Sequence, residues 1–164
     1  MKHLWAPWRM EYIQGDGSPE AGCIFCVRDL AGEDEKRLIL ARGEHAFVIM
    51  NKFPYTNGHL MVAPYRHTAE LGELSEAEIL EMHRMLAFSQ RALTQCMAPQ
   101  GFNIGLNLGR TAGAGIEDHL HMHLVPRWNG DTNFMPVFAD VRVIPQHLEA
   151  TYRHLSRCFS SWGT

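Results

Sequence analysis

Residues 119–125, HLHMHLV, place a histidine at every second position, with leucine or methionine between. A period of two is that of a strand, whose side chains point to opposite faces in turn, and it fits no helix. It sends His119, His121, His123 and Val125 to one face and Leu120, Met122 and Leu124 to the other. The apolar face belongs on a core; the histidine face is expected to line a surface or a cleft. The fold must therefore contain a sheet that is packed on one side and chemically equipped on the other.

The rest of the chain supplies that sheet. RLILAR (37–42) and HAFVIMN (45–51) read as strands separated by Gly43-Glu44, a hairpin-sized gap. FPYTNGH is a turn built on Pro54 and Asn57-Gly58, and HLMVAP (59–64) is the next strand. FNIGLNLG (102–109) leads through the glycine-rich GRTAGAG (109–115) into the histidine strand. Short connections between consecutive strands imply antiparallel pairing. Residues 75–97 read as one long helix. Ser75 and Glu78 form a capping box, Pro99 follows the end, and Ile79, Met82, Leu86, Leu93 and Met97 make an apolar stripe. VIPQHLEATYRHLSRCF (143–159) closes the chain as a second helix, with Leu148, Tyr152, Leu155 and Phe159 on one side. The expected class is α+β: an antiparallel sheet of about five strands with one main helix and a C-terminal helix.

A length of 164 residues with 46% hydrophobic content suits a single domain over 1–164. QGDGSPEAG (14–22) sets off an aromatic N-terminal arm, about 1–22. Its Trp5, Trp8, Met10, Tyr12 and Ile13 are expected to pack on the domain or on a second subunit. The formal net charge of -3 argues against general affinity for nucleic acid or an acidic membrane. No run approaches the roughly 18 apolar residues of a membrane span, and the start lacks the apolar core of a signal peptide, so a cytoplasmic protein is expected. Cys23 and Cys26 form a C-x-x-C, which in a reducing compartment reads as a metal or redox pair; Cys96 and Cys158 read as isolated.

Two kinds of chemistry suit the histidine face. His-x-His on a strand is a metal-ligand pair, with His59 and His67 available to complete a site. Alternatively, one imidazole attacks phosphorus. A neutral ring, with a pKa near ~6.5, needs one nitrogen free and the other held by an acceptor. The phosphate needs donors around it, which backbone amides of GRTAGAG can supply.

HLHMHLV matches the His-φ-His-φ-His-φ-φ pattern (φ apolar) of the histidine-triad family. FVIMNKFPYTNGHLMVAPYRH (47–67) is similar to that family's strand-turn-strand, and CIFC to a common opening of its bacterial members. Within the family the chain most resembles the bacterial diadenosine tetraphosphate phosphorylases, through LWAPWRMEYI, GHLMVAPYRH, GFNIG, AGAGI and HLHMHLVPRWNGDTNFMPV.

The resemblance implies that His121 is the nucleophile. It would form a nucleotidyl-histidine intermediate on a diadenosine polyphosphate, which inorganic phosphate then resolves. It implies that the His119 carbonyl holds the other ring nitrogen of His121, and that His123 and His59 act as donors around the phosphate. Asn51 would bind the ribose, Asn107 and the loop Gly113-Ala114-Gly115 the phosphates, with Trp128 and Asn133 as further substrate contacts. It also implies a structural zinc on Cys23, Cys26, His67 and His119, no organic cofactor, and a homodimer or higher homo-oligomer. Gly115-Ile116 stand where many hydrolases of the family carry a polar Gln-Ser or Gln-Thr pair, which favours the phosphorylase branch. The alternatives are a hydrolase of dinucleoside polyphosphates or nucleoside phosphoramidates, or a low-turnover nucleotide-binding module.

Overall fold

A computed structural model describes residues 22–30, 32–131 and 146–162. The aromatic arm up to residue 21, Asn133 and residues 143–145 lie outside these. A one-turn helix α1 (Asp34–Arg37) leads into β1 (Ile39–Arg42), so α1 takes the first residue of the run expected as a strand from 37. β2 (Ala46–Met50), β3 (Leu60–Pro64), α2 (Glu76–Met97), β4 (Gly101–Leu106), β5 (Met122–Arg127) and α3 (Leu148–Phe159) follow. The five strands form one sheet in the order β1-β2-β3-β5-β4, antiparallel throughout. The α+β class expected from the sequence is the one observed.

The turn between β2 and β3 depends on Gly58, whose φ of +77° is left-handed and whose missing side chain leaves room for Met97. The tip between β1 and β2 is held differently. The Glu81 carboxylate of α2 accepts the backbone N–H groups of Glu44, His45 and Ala46 at 3.0, 2.5 and 2.8 Å.

α2 begins with the expected capping box: the Ser75 hydroxyl accepts the Glu78 N–H, and the Glu78 carboxylate accepts the Ser75 N–H at 2.7 Å. Met82, Met85, Leu86, Ala92 and Leu93 then bury against Val48, Met50, Leu60, Val62 and Leu124. Ile79 departs from the expected stripe and is 44% exposed. The buried position of that first turn belongs to Glu78, which is drawn in by Ser75 and Arg66. α3 lies beside α2, with Phe159 edge-on to Phe88 at 5.3 Å, and its Tyr152 hydroxyl donates to the Ile39 carbonyl at 3.0 Å.

Cys96 and Cys158 are not isolated. Packing of α2 on α3 brings their last turns together across a separation of 62 residues, and a disulfide joins them with a Cα–Cα distance of 6.7 Å.

The opposite face of the sheet carries Phe47, Ile49, Met61 and Ala63, covered by Phe25 and Val27. Arg42 ties that covering segment down by donating to the carbonyls of Val27 and Leu30 and to the Asp34 carboxylate. Among the described residues no helix is long and apolar enough to cross a membrane.

Candidate active site

β5 starts at Met122, so His119 to His121 precede the ladder. The chain is extended into this stretch by the Leu120 N–H, which donates to the Thr68 carbonyl at 2.7 Å. The alternation survives: Leu124 faces α2, while His123 sits opposite Met61 on the other face. The histidine face is an enclosed one rather than an open surface: His59 borders a cavity and His123 is partly buried, while the other rings are nearly closed off. His119 is 1% exposed, His121 6% and His59 1%. Phe25 covers them, its ring 4.7 Å from that of His121 and 5.3 Å from that of His119.

Each ring's tautomer follows from its hydrogen-bond partner. His121 Nδ1 lies 2.8 Å from the His119 carbonyl oxygen, so Nδ1 carries the proton and donates, and Nε2 holds the lone pair. Burial lowers the pKa of His121 against the smaller opposing effect of that hydrogen bond, so the neutral form is favoured.

A second chain of bonds sets the neighbouring ring. The Tyr55 N–H donates to His59 Nδ1 at 3.1 Å, which leaves the proton on His59 Nε2. That atom is 2.9 Å from His123 Nδ1 and donates to it, so the His123 proton resides on Nε2. Asn107 Nδ2 lies 3.5 Å from His123 Nε2. Two donors at that spacing converge on a position suited to an anionic oxygen. The His121 and His123 rings are 4.9 Å apart, so a lone pair and a donor stand side by side.

Asn51 borders the same region. Its side-chain oxygen accepts the Phe53 N–H at 2.9 Å, and its amide nitrogen is 3.4 Å from His59 Nδ1. A cavity of about 330 Å³ opens beside it, lined by Asn51, Asn57, His59, Gln146 and His147 among others. The glycine-rich loop is partly committed to itself. The N–H groups of Ala112, Gly113 and Ala114 donate to the carbonyls of Gly109 and Arg110, and Gly115 follows at the exposed end of the loop. The Trp128 indole N–H donates to the Met97 carbonyl at 3.3 Å, which anchors that ring to the end of α2.

Three further groups meet His119 on its other side. Donor atoms of Cys23, Cys26, His67 and His119 all lie within 4.8 Å of one another. Cys23 Sγ is 3.4 Å from His119 Nδ1, Cys26 Sγ 3.4 Å from His67 Nδ1, and the two Nδ1 atoms are 3.2 Å apart. A tetrahedral zinc site has edges of about 3.3–3.6 Å between nitrogens and between sulfur and nitrogen. His119 Nε2 donates to the Pro64 carbonyl at 2.8 Å, which turns the Nδ1 lone pair toward the cluster. Burial, first among several effects, lowers the His119 pKa, and burial also raises that of the Cys23 thiol. The donor set thus fits four-coordinate zinc in both spacing and tautomer.

Three participants were invisible in the sequence reading: Phe25, Tyr55 and the Thr68 carbonyl. The signal for Phe25 was its place between the two cysteines of CIFC, which ties its ring to any site those cysteines join.

Residues 32–130 match the sequence profile of the HIT domain. The chain is 39% identical to the AP-4-A phosphorylase of Mycobacterium tuberculosis, over 95% of this chain and 83% of that one. It is 25% identical to the adenosine 5'-monophosphoramidase of Schizosaccharomyces pombe, over 82% of this chain and 96% of that one. Among solved structures, a zinc-bound histidine triad family protein from Mycobacterium smegmatis superposes with a TM-score of 0.66 at 25% identity, covering 86% of this chain and 95% of that one.

Proposed function

The chain belongs to the HIT domain family, and from that premise we propose that it is a nucleotide-cleaving enzyme that splits diadenosine polyphosphates by phosphorolysis. The observation that carries this reading is the His121 ring: Nδ1 held at 2.8 Å by the His119 carbonyl, Nε2 left with its lone pair beside the His123 donor. His121 Nε2 attacks the α-phosphorus and the bond to the β-phosphate oxygen breaks. On diadenosine tetraphosphate this leaves adenylyl-His121 and releases ATP. A phosphate oxygen then attacks the same phosphorus, the P–N bond breaks, and ADP leaves. His123 Nε2 and Asn107 Nδ2 donate to the phosphoryl oxygens as charge builds on them. Asn51 offers its amide to the ribose. Gly113, Ala114 and Gly115 shape the wall on the phosphate side, and Trp128 lies at its margin.

Cys23, Cys26, His67 and His119 would hold a zinc ion. With four protein ligands the metal supplies rigidity and no open coordination position. It would tie the segment of Cys23 and Cys26 to His67 and His119, a structural role. The unit is read as one domain over 1–164 that works as a homodimer on nucleotides and inorganic phosphate.

Product analysis tests the reaction. With diadenosine tetraphosphate, ADP plus ATP formed only when inorganic phosphate is present is the expected result. AMP plus ATP formed regardless of phosphate would make water the acceptor and the enzyme a hydrolase. The likeness to a protein named a monophosphoramidase makes an adenosine phosphoramidate the next substrate to try.

A further inference from the structure

Cys96 lies in the last turn of α2 and Cys158 in the last turn of α3; with His154 they form a second cluster of donor atoms, separate from that of Cys23, Cys26, His67 and His119 and from the nucleotide site. Their bond, with Cα atoms 6.7 Å apart, is the one covalent link between α2 and α3. His154 stands one turn before Cys158, with a ring nitrogen within 4.8 Å of both sulfurs.

What α3 touches at its other end gives the link a consequence. Gln146, His147 and Leu148, at its start, line the cavity bordered by Asn51 and His59. Thr151, in the first turn of α3, donates from its hydroxyl to Asn57 Oδ1 at 2.9 Å, and Asn57 Nδ2 donates to Gln146 at 3.4 Å. Asn57 lies in the turn whose two ends are Asn51 and His59, themselves joined by an N–H to carbonyl bond of 2.9 Å. A continuous path of bonded groups therefore runs from Cys158, along α3, into the turn that presents Asn51 and His59.

We propose that Cys96 and Cys158 form a reversible thiol–disulfide site whose oxidation clamps α3 onto α2 and so fixes the cavity wall at Gln146–Leu148 and the 51–59 turn. The oxidant is a low-molecular-weight disulfide, RSSR. One cysteine thiolate attacks a sulfur of RSSR, forming a mixed disulfide and releasing RS⁻. The second thiolate attacks the protein sulfur of that mixed disulfide, forms the Cys96–Cys158 bond and releases the second RS⁻. The pair loses two electrons, RSSR gains them, and the two thiol protons end on the two departing thiolates. His154 is near enough to relay the proton of either thiol. Reduction runs the same steps backward with two RSH.

The test uses the full-length chain without nucleotide, equilibrated with oxidised glutathione or with dithiothreitol. Peptide mass mapping reads the sulfur pairing, and hydrogen exchange reads the backbone. Oxidation is expected to yield a Cys96–Cys158 cross-linked peptide and to slow exchange at least tenfold in 148–159, with a smaller slowing in 51–59. Dithiothreitol reverses both. Cys158→Ser removes both responses while leaving Cys23 and Cys26 in place, so oxidation of that pair cannot imitate them. Free Cys96 and Cys158 under oxidised glutathione would overturn the proposal. So would a cross-link that leaves exchange in α3 and the 51–59 turn unchanged. Neither readout depends on the substrate, so the outcome stands apart from the phosphorolysis reading.

Discussion

On the face of the sheet covered by α2 and α3, Leu60, Val62 and Leu124 lie at 0% exposure among methionines, leucines and aromatic rings. On the other face His59, His119 and His121 are buried almost as fully, at 1%, 1% and 6%. The two faces reach the same dryness at different cost. Apolar side chains need only contact, at a gain of about 25 cal/mol for each Å² removed from water. A buried imidazole must find a partner for each nitrogen or lose about 1–3 kcal/mol. For one nitrogen of each ring the partner is a main-chain atom, the carbonyl of Pro64 or His119 or the N–H of Tyr55; His59 Nε2 bonds His123, and His121 Nε2 keeps its lone pair for chemistry. The helix face can therefore be redesigned by shape alone, whereas the histidine face is fixed in geometry as well as in composition.

The sharpest test of this contrast is His121→Ala. It should lower turnover at least about a thousandfold, ~4 kcal/mol in barrier, in the folded protein, while nucleotide binding changes little. A rate within about tenfold of wild type would remove His121 from the nucleophile's role. On the helix face, Leu155→Ala should do the reverse. It should cost about 2–5 kcal/mol in denaturant unfolding and leave the rate per folded molecule intact. A large fall in kcat without loss of stability would show that the two faces are coupled rather than separate.

The cysteine-histidine cluster sits on the histidine face but is assigned a structural task, so metal removal blurs the comparison usefully. Chelation should lower the Tm by several degrees and leave the chemical step of the remaining folded enzyme unchanged. Loss of that step with the fold intact would make the metal part of the chemistry. Asn51→Ala is expected to raise KM about tenfold, ~1.4 kcal/mol, with little change in kcat. A change confined to kcat would move Asn51 away from the ribose.

The smallest effect belongs to Glu78. Burial alone would raise its pKa, but the Ser75 N–H and the Arg66 guanidinium outweigh that and hold it below the usual carboxylate value of 4.5. A depressed folded-state pKa stabilises the fold above the unfolded pKa, and that contribution fades as pH falls through the folded value. Glu78→Gln should thus be less stable than wild type at neutral pH, by less than about 1 kcal/mol because Arg66 is half exposed, and the gap should close as pH falls through the folded-state pKa of Glu78. A gap that persists in acid would mean that packing, not charge, is what the variant loses.

The helix face was legible in the sequence because its signals are local: a capping box, a 3.6-residue stripe, an alternation of two. Ile79 misled because a stripe drawn by spacing alone cannot know that Glu78 claims the buried position one residue earlier. The chemistry of the histidine face was legible as residue types, and less so as an environment. Phe25 comes from 96 residues away to bury His121, and tautomers are set by carbonyls that no sequence pattern displays. The Cys96–Cys158 bond was illegible for a related reason: it depends on how α3 docks, and each cysteine looks solitary in its own helix.

The ring of His121 is aimed by a main-chain oxygen, that of His119. Every residue type carries that oxygen, so no single-codon change at position 119 can delete the acceptor; it can only displace it. The path of the chain there is held in turn by another main-chain pair, Leu120 N–H to Thr68 carbonyl. Genetic drift in the side chains around the reactive ring is thereby decoupled from its orientation. Lineages could exchange the cover, the cluster or the cavity wall and still inherit an imidazole pointed the same way.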